Sequence, residues 1–197
     1  MFLDLEKGMS LDLAKDEVGF KSIDVGVNWG KINKKFLGIF GSQKDVDLDL
    51  SAILYDKNHK VINVVYYRKL RAEGIRHSGD DLVGDSIKDA KDNENISIDF
   101  TKLNPAVAKI GIVLVSFRGQ PFDDVPYAQI RIYDKSHGKK EPFMQTDIKG
   151  EEKFNKKVSL IFGVLSKENN IWSYKNISEP TEKSKLEELY KEVAKHL

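Results

Sequence analysis

Cysteine is absent from this chain of 197 residues, which at once removes disulfide cross-links, thiolate zinc sites and cysteine nucleophiles. That fits a reducing compartment, and the cytoplasm is the expected one. Long hydrophobic runs are missing as well. The two longest, residues 110–115 and 160–165, fall far short of the roughly 20 residues a helix needs to cross a bilayer. The segment MFLDLEKGMS sets acids among its apolar residues, so no secretory signal is expected there. Charge of one sign is lacking too: 32 basic and 31 acidic residues leave a formal net charge of +1. No global field draws the chain to nucleic acid or to an anionic membrane, so a partner must be recognised by a local patch. Neither G-x-S-x-G, nor a P-loop, nor G-x-G-x-x-G occurs, which removes the commonest hydrolase and nucleotide signatures. His59, His77, His137 and His196 are scattered without metal-ligand spacing, and each is expected at the surface or in a turn.

What the chain does contain is alternation. SIDVGVNW at residues 22–29 puts Ile23, Val25, Val27 and Trp29 on one side, the period of a half-buried strand. Residues 30–41 are basic and then glycine-punctuated, and read as a surface connection with one short strand; Lys31, Lys34 and Lys35 there are a solvated loop or a basic patch. Residues 50–55 and 60–67 flank Asp56-Lys57-Asn58-His59, a turn of hairpin length. Residues 68–76 read as a charged connection, and residues 96–100 as a further strand ahead of an Asn104-Pro105 turn.

IGIVLVSF at residues 110–117 is apolar on both faces and is expected as a central strand. Residues 127–133 alternate again, after a loop at 118–126. A second hairpin is expected from residues 157–165 and 170–176. Trp29, Trp172 and the tyrosines fall within the strand pattern, so they read as packing residues. Leu186, Leu189, Tyr190, Val193, Ala194 and Leu197 instead follow one helical face, with Ser184 and Glu187 at capping-box spacing. The fold class is therefore all-β: a sandwich of about eight or more mainly antiparallel strands with a C-terminal amphipathic helix over residues 184–197, as a single domain.

The local excess of charge lies in HSGDDLVGDSIKDAKDNENISIDF, residues 77–100, where Asp80, Asp81, Asp85, Asp89, Asp92, Glu94 and Asp99 face only Lys88 and Lys91. Just upstream, Asp45, Asp47 and Asp49 alternate, and in an extended strand such carboxylates share a face about 6.8 Å apart. Hard oxygen ligands on a glycine-containing loop suit a hard divalent cation, and calcium tolerates loose, many-oxygen geometry better than magnesium. Asp80, Asp81 and Asp85 are spaced so that a curled loop can converge them, with Asp92 and Glu94 as closing ligands. A solvated acidic loop accounts for the same composition. The spacing is not that of an EF-hand.

The order of the pieces adds a further reading. Gly8-Met9-Ser10-Leu11, then Val25-Gly26-Val27-Asn28-Trp29, then Asp47-Leu48-Asp49-Leu50-Ser51-Ala52, then His77-Ser78-Gly79-Asp80-Asp81-Leu82-Val83-Gly84-Asp85 resembles the TerD family of tellurite-resistance and stress-response proteins. Asp92-Asn93-Glu94, and Gln120-Pro121-Phe122 ahead of Ala128-Gln129-Ile130-Arg131-Ile132, keep the same order, so that the likeness runs over residues 8–176. The resemblance implies a β-sandwich that binds one or two Ca2+ ions through acidic loops. Carried over by motif, the implied ligands are Asp47, Asp49, Asp80, Asp81, Asp85, Asp92 and Glu94, with Asp89 inside the same loop.

The resemblance further implies a non-enzymatic role in the stress response, with other Ter-type stress proteins as partners at the inner face of a membrane. This chain departs from the family pattern at GDSIKDAKDNE, residues 84–94, where the family runs close to G-E-G-D-G-D-D-E. The loop here is longer and carries two lysines, so one calcium position is expected to be lost or weak. Lys88 and Lys91 are expected to swing outward or to weaken a site, and Ile87 to pack on the protein. The competing reading is a metal-free interaction scaffold with a degenerate calcium site. Metal-assisted phosphate-ester hydrolysis is the enzymatic alternative.

Overall fold

Alternating apolar residues settle into strands because one face of each can be buried between two sheets. The computed structural model describes residues 7–13, 19–33, 43–89, 91–136, 141–148 and 151–197. In chain order the strands are β1 Ser10–Asp12, β2 Ser22–Trp29, β3 Ile32–Asn33, β4 Gln43–Lys44, β5 Leu48–Tyr55, β6 Val61–Val65 and β7 Arg71–Ala72. After them come β8 Ile75–His77, β9 Glu94–Asp99, β10 Lys109–Ser116, β11 Ala128–Asp134, β12 Met144–Asp147, β13 Ser159–Glu168 and β14 Ile171–Thr181. One helix, α1 Leu186–Ala194, follows.

Among the described residues the strands form two six-stranded sheets, β1-β14-β13-β10-β5-β6 and β12-β11-β2-β9-β8-β7, with β3 and β4 as a separate pair. Every pairing between these strands is antiparallel. The expected sandwich is therefore the fold.

β10 lies between β13 and β5, which explains its two apolar faces. Ile110, Ile112 and Leu114 join the layer between the sheets, whereas Val113 and Val115 join a second layer on the outside. α1 covers that outer layer with Leu189 and Val193, over Ile53, Tyr55, Ile161, Val164 and Ile177. The Tyr55 hydroxyl donates to the Tyr190 carbonyl at 3.0 Å. β5 is buried on both faces for the same reason.

Both expected hairpins form. In the first, Asp56 accepts the amides of Asn58 and Lys60, and His59 takes the left-handed conformation at φ 63°. In the second, Asn169 and Asn170 sit at φ 49° and 64°, the twist that a two-residue hairpin turn requires.

Several expectations are corrected. Residues 68–76 are not simply a charged connection, because β7 and β8 form a short edge hairpin there. The Ser184–Glu187 capping box does not form: Lys185 is the N-cap and no side chain caps it. Glu187 and Glu188 instead lie in the first turn, where the helix dipole favours acids. Ile87 does not pack on the protein but is 82% exposed. His77 is not a surface residue; it is buried at the end of β8. The expected short strand within residues 30–41 is realised in part as β3, while residues 34–42, including Lys34 and Lys35, lie outside the described residues. His137 lies outside them too.

Candidate metal centre

The site forms where the entry to β5 meets the loop leaving β8. Residues 45–47 precede β5, and the Phe117 amide donates to the Asp47 carbonyl at 3.0 Å, fixing the approach. The Trp29 indole NH donates to the Val46 carbonyl at 2.8 Å, tying the same segment to the end of β2. The loop from β8 is held against this point by Gly84. Its φ is +75°, and a Cβ there would come within 2.7 Å of the Trp29 ring, so only glycine lets the backbone lie on the indole.

These two segments bring together Asp47, Asp49 and Asp80, with one carboxylate oxygen of each within 4.8 Å of the others. Asp47 and Asp49 are buried, and Asp80 is exposed. Arg118 approaches Asp47 Oδ2 at 3.5 Å, but Asp47 Oδ1 is buried without a hydrogen-bond partner. Burial, then the charges of Glu94, Asp47 and Asp80, push the Asp49 carboxyl up to about 8. Burial and Asp80 likewise raise Asp47, against the pull of Arg118. Asp45, expected on the same face, instead turns to Lys31 at 3.5 Å.

The remaining acids are occupied by protein donors. Asp81 Oδ1 accepts the amides of Val83 and Gly84, and Oδ2 accepts from Asn93. Burial would raise the Asp81 carboxyl, yet the Asn93 bond, the two amides and Lys31 together hold it below its ordinary value. Asp85 accepts from Asn28 at 2.8 Å and from Asn93 at 3.1 Å, and its backbone bridges Gly30 of the β2 end. Asp92 is paired with Arg131 at 2.6 Å and lies against Gly26 on the outer face of β2. Asp89 is exposed and accepts only the Lys91 amide among the described bonds.

Glu94 is fully buried between the sheets. It accepts the Leu50 amide at 2.8 Å and the Asp81 amide at 3.3 Å, with His77 Nε2 at 3.4 Å. Burial raises its carboxyl, opposed by His77 and these amides. Of the eight predicted site residues, then, three share one centre. Asp81, Asp85 and Glu94 brace the loop behind it, Asp92 belongs to an ion pair with β11, and Asp89 stands outside. Lys88 does swing outward, with its ammonium 5.3 Å from the centre of the Tyr127 ring.

Sequence reasoning gave no role to Asn28, Asn93, His77, Arg118 or Arg131. Asn28 and Asn93 stand in the quoted motifs, and the available signal was an amide inside an otherwise apolar strand end, Asn28 before Trp29, and another among the loop's acids, Asn93 between Asp92 and Glu94. Asn28 is fully buried and donates to Asp85, the Lys91 carbonyl and Asn93. Arg118 and Arg131 lie far from the acidic loop in sequence, and nothing local marks them as its counter-charges.

A family model described as the TerD domain matches residues 1–192. The tellurium resistance protein TerZ of Serratia marcescens is 32% identical over 138 residues, covering 68% of this chain and 70% of that protein. The stress response protein SCP2 of Bacillus subtilis is 28% identical over 204 residues, covering 96% and 98%. Among solved structures, a homologue of telluride resistance protein (TerD) from Streptomyces coelicolor superposes with a TM-score of 0.70 at 16% identity, covering 89% of this chain and 98% of that one. At that identity the superposition speaks for the fold alone.

Proposed function

Because this chain belongs to the TerD domain family, we propose that it is a non-enzymatic stress-response module that holds one calcium ion at Asp47, Asp49 and Asp80. The observation that carries the reading is the buried, unpartnered Asp47 Oδ1 within that three-carboxylate group. A buried acceptor without a donor is costly, and three carboxylates this close repel. A hard cation satisfies both demands together, and with oxygen donors alone calcium is the fitting choice. A bound ion would supply the positive charge that lets the β5 entry and the β8 loop stay together with all three groups ionised. A single ion is proposed because Asp81, Asp85, Asp92 and Glu94 already have protein donors.

Calorimetric titration of chelator-stripped protein tests this. Uptake of about one ion is expected, with a dissociation constant in the micromolar sensor range, and Asp80→Asn should weaken it. Absence of heat together with an unchanged melting temperature in excess calcium would overturn the assignment. That outcome would favour the second reading, a metal-free scaffold, which is supported by the protein-satisfied network behind the centre. In either case the module acts by binding, and a turnover screen with calcium, magnesium and manganese should be blank.

Assembly with other Ter-type stress proteins, in the cytoplasm and at the inner face of a membrane, is part of the same proposal; the names of the relatives support the stress context. Among the described residues no helix is long and apolar enough to cross a membrane. Mixing with a Ter-type partner should raise the hydrodynamic mass, more so with calcium present.

A further inference from the structure

On the opposite sheet from α1 lies a second feature, unrelated to the carboxylates. Along the outer face of β7, β8, β9 and β2 the registers align Arg71 with Arg76, Arg76 with Ser97, and Ser97 with Asp24. Two arginines therefore stand directly across from each other at a sheet edge, a pairing that like charges make unfavourable. Beside them Lys102 and Lys135 complete an open groove of 520 Å3, with Ser97 and Asp99 also in its wall.

The signs in this groove do not balance. Lys102 is matched by Asp99 at 2.9 Å and Lys135 by Asp24 at 3.1 Å. Arg71 and Arg76 are exposed, and among the described residues neither has an ion-pair partner; Glu73, in the turn between them, lines a different cavity. The Ser97 hydroxyl accepts from Lys135 at 2.8 Å and donates to Asn95 Oδ1 at 3.4 Å, a long bond that a ligand oxygen in the groove can replace.

A face kept merely solvated has no need to set two guanidinium forks side by side over a hydroxyl donor. Guanidinium pairs match the oxygens of a phosphate in geometry as well as in charge. The groove also falls in the size range of small-molecule sites and exceeds a lone phosphate ion. We propose that this groove binds a phosphate-bearing ligand, with Arg71 and Arg76 clamping the phosphoryl oxygens and Lys102, Lys135 and Ser97 completing the cradle. The ligand class is a phosphomonoester or polyphosphate, and the source is either a soluble compound or a lipid headgroup.

The test is calorimetric titration of the full chain with inorganic tripolyphosphate, alongside flotation with phosphatidylcholine vesicles with and without phosphatidic acid. All samples contain EDTA, so that the outcome does not depend on the carboxylate centre. Binding of either probe is expected, and the one that binds identifies the source. Arg71→Gln with Arg76→Gln should weaken binding by about tenfold or more, and so, to a lesser degree, should Lys102→Gln alone. Both arginines are exposed and repel each other across the edge pair, so the double variant should melt at or above wild type. Failure of wild-type protein to bind either probe, or equal binding by the double variant, overturns the proposal.

Discussion

Replacing Asp49 by asparagine removes one charge from the carboxylate centre at nearly constant shape, and the structure fixes the sign of the result. At 4.8 Å, the outer limit of the separations in the group, two like charges repel by about 0.9 kcal/mol in water and by about 3.5 kcal/mol at an effective dielectric near 20. Asp49 faces two such neighbours, Asp47 and Asp80, so the bracket is about 2 to 7 kcal/mol. Asp80 is exposed and Arg118 offsets Asp47, which places the expectation at the lower end, about 2 kcal/mol.

The pH dependence follows from the same geometry. The unfolded chain ionises Asp49 near its ordinary 3.8, whereas the folded chain keeps the proton to about 8. Between these values the folded state binds the extra proton, so ion-free wild-type protein loses stability as pH rises through this window. Asp49→Asn does not share that loss. In EDTA the variant should match wild type near pH 4 and melt at least about 4 to 8 °C higher by pH 9, because the burial of an ionised Asp49 adds to the repulsion counted above. With calcium at about a hundred times its dissociation constant, wild type should gain about 2.7 kcal/mol, and the variant should lose most of that gain. Differential scanning calorimetry in both buffers reads all of this. An Asp49→Asn variant that melts at or below wild type in EDTA at pH 9 would refute the electrostatic reasoning.

Arg131→Ala leaves the half-buried Asp92 without its counter-charge and should cost up to about 3 kcal/mol in urea unfolding, while the calcium heat persists. Gly26→Ala would drive a Cβ to 2.1 Å from Asp92 Oδ2; chemical denaturation should show a loss of about 1 to 3 kcal/mol. Leu189→Ala, on the side of α1 packed over the outer layer, should cost about 2 to 5 kcal/mol, again with calcium uptake retained.

Strand identity was legible because burial and alternation share one period. Ile23, Val25 and Val27 alternate with polar or small neighbours in the sequence and line the interior in the structure. The doubly apolar stretch in β10 could be placed at the sheet centre for the same reason, since only a covered sheet tolerates it. The β7–β8 hairpin was hidden because Arg71 and Arg76 are exposed on strands of two and three residues, with Glu73 in the turn between them. Such strands are too short for alternation to show. The capping box failed for a different cause: the spacing was correct, but the helix starts one residue further on, at Leu186.

For the site, composition located the rim but could not divide its acids among partners. A carboxylate's role is set by the donors it meets, and here these come from distant segments: Arg131 from β11 for Asp92, the Leu50 amide from β5 for Glu94, Asn28 from β2 for Asp85. Asp47 Oδ1 stands apart because no such donor reaches it. The acids next to one another in the loop are therefore not the ones that converge. Asp80 and Asp81 are adjacent, yet Asp81 turns back to the amides of Val83 and Gly84 while Asp80 joins Asp47 and Asp49 across the chain. The braced acids hold the loop in place without an ion. In this arrangement cation binding need only remove the repulsion at one converged point rather than order the whole loop, and an ion that orders little can act on a partner only through the charge it adds to the rim.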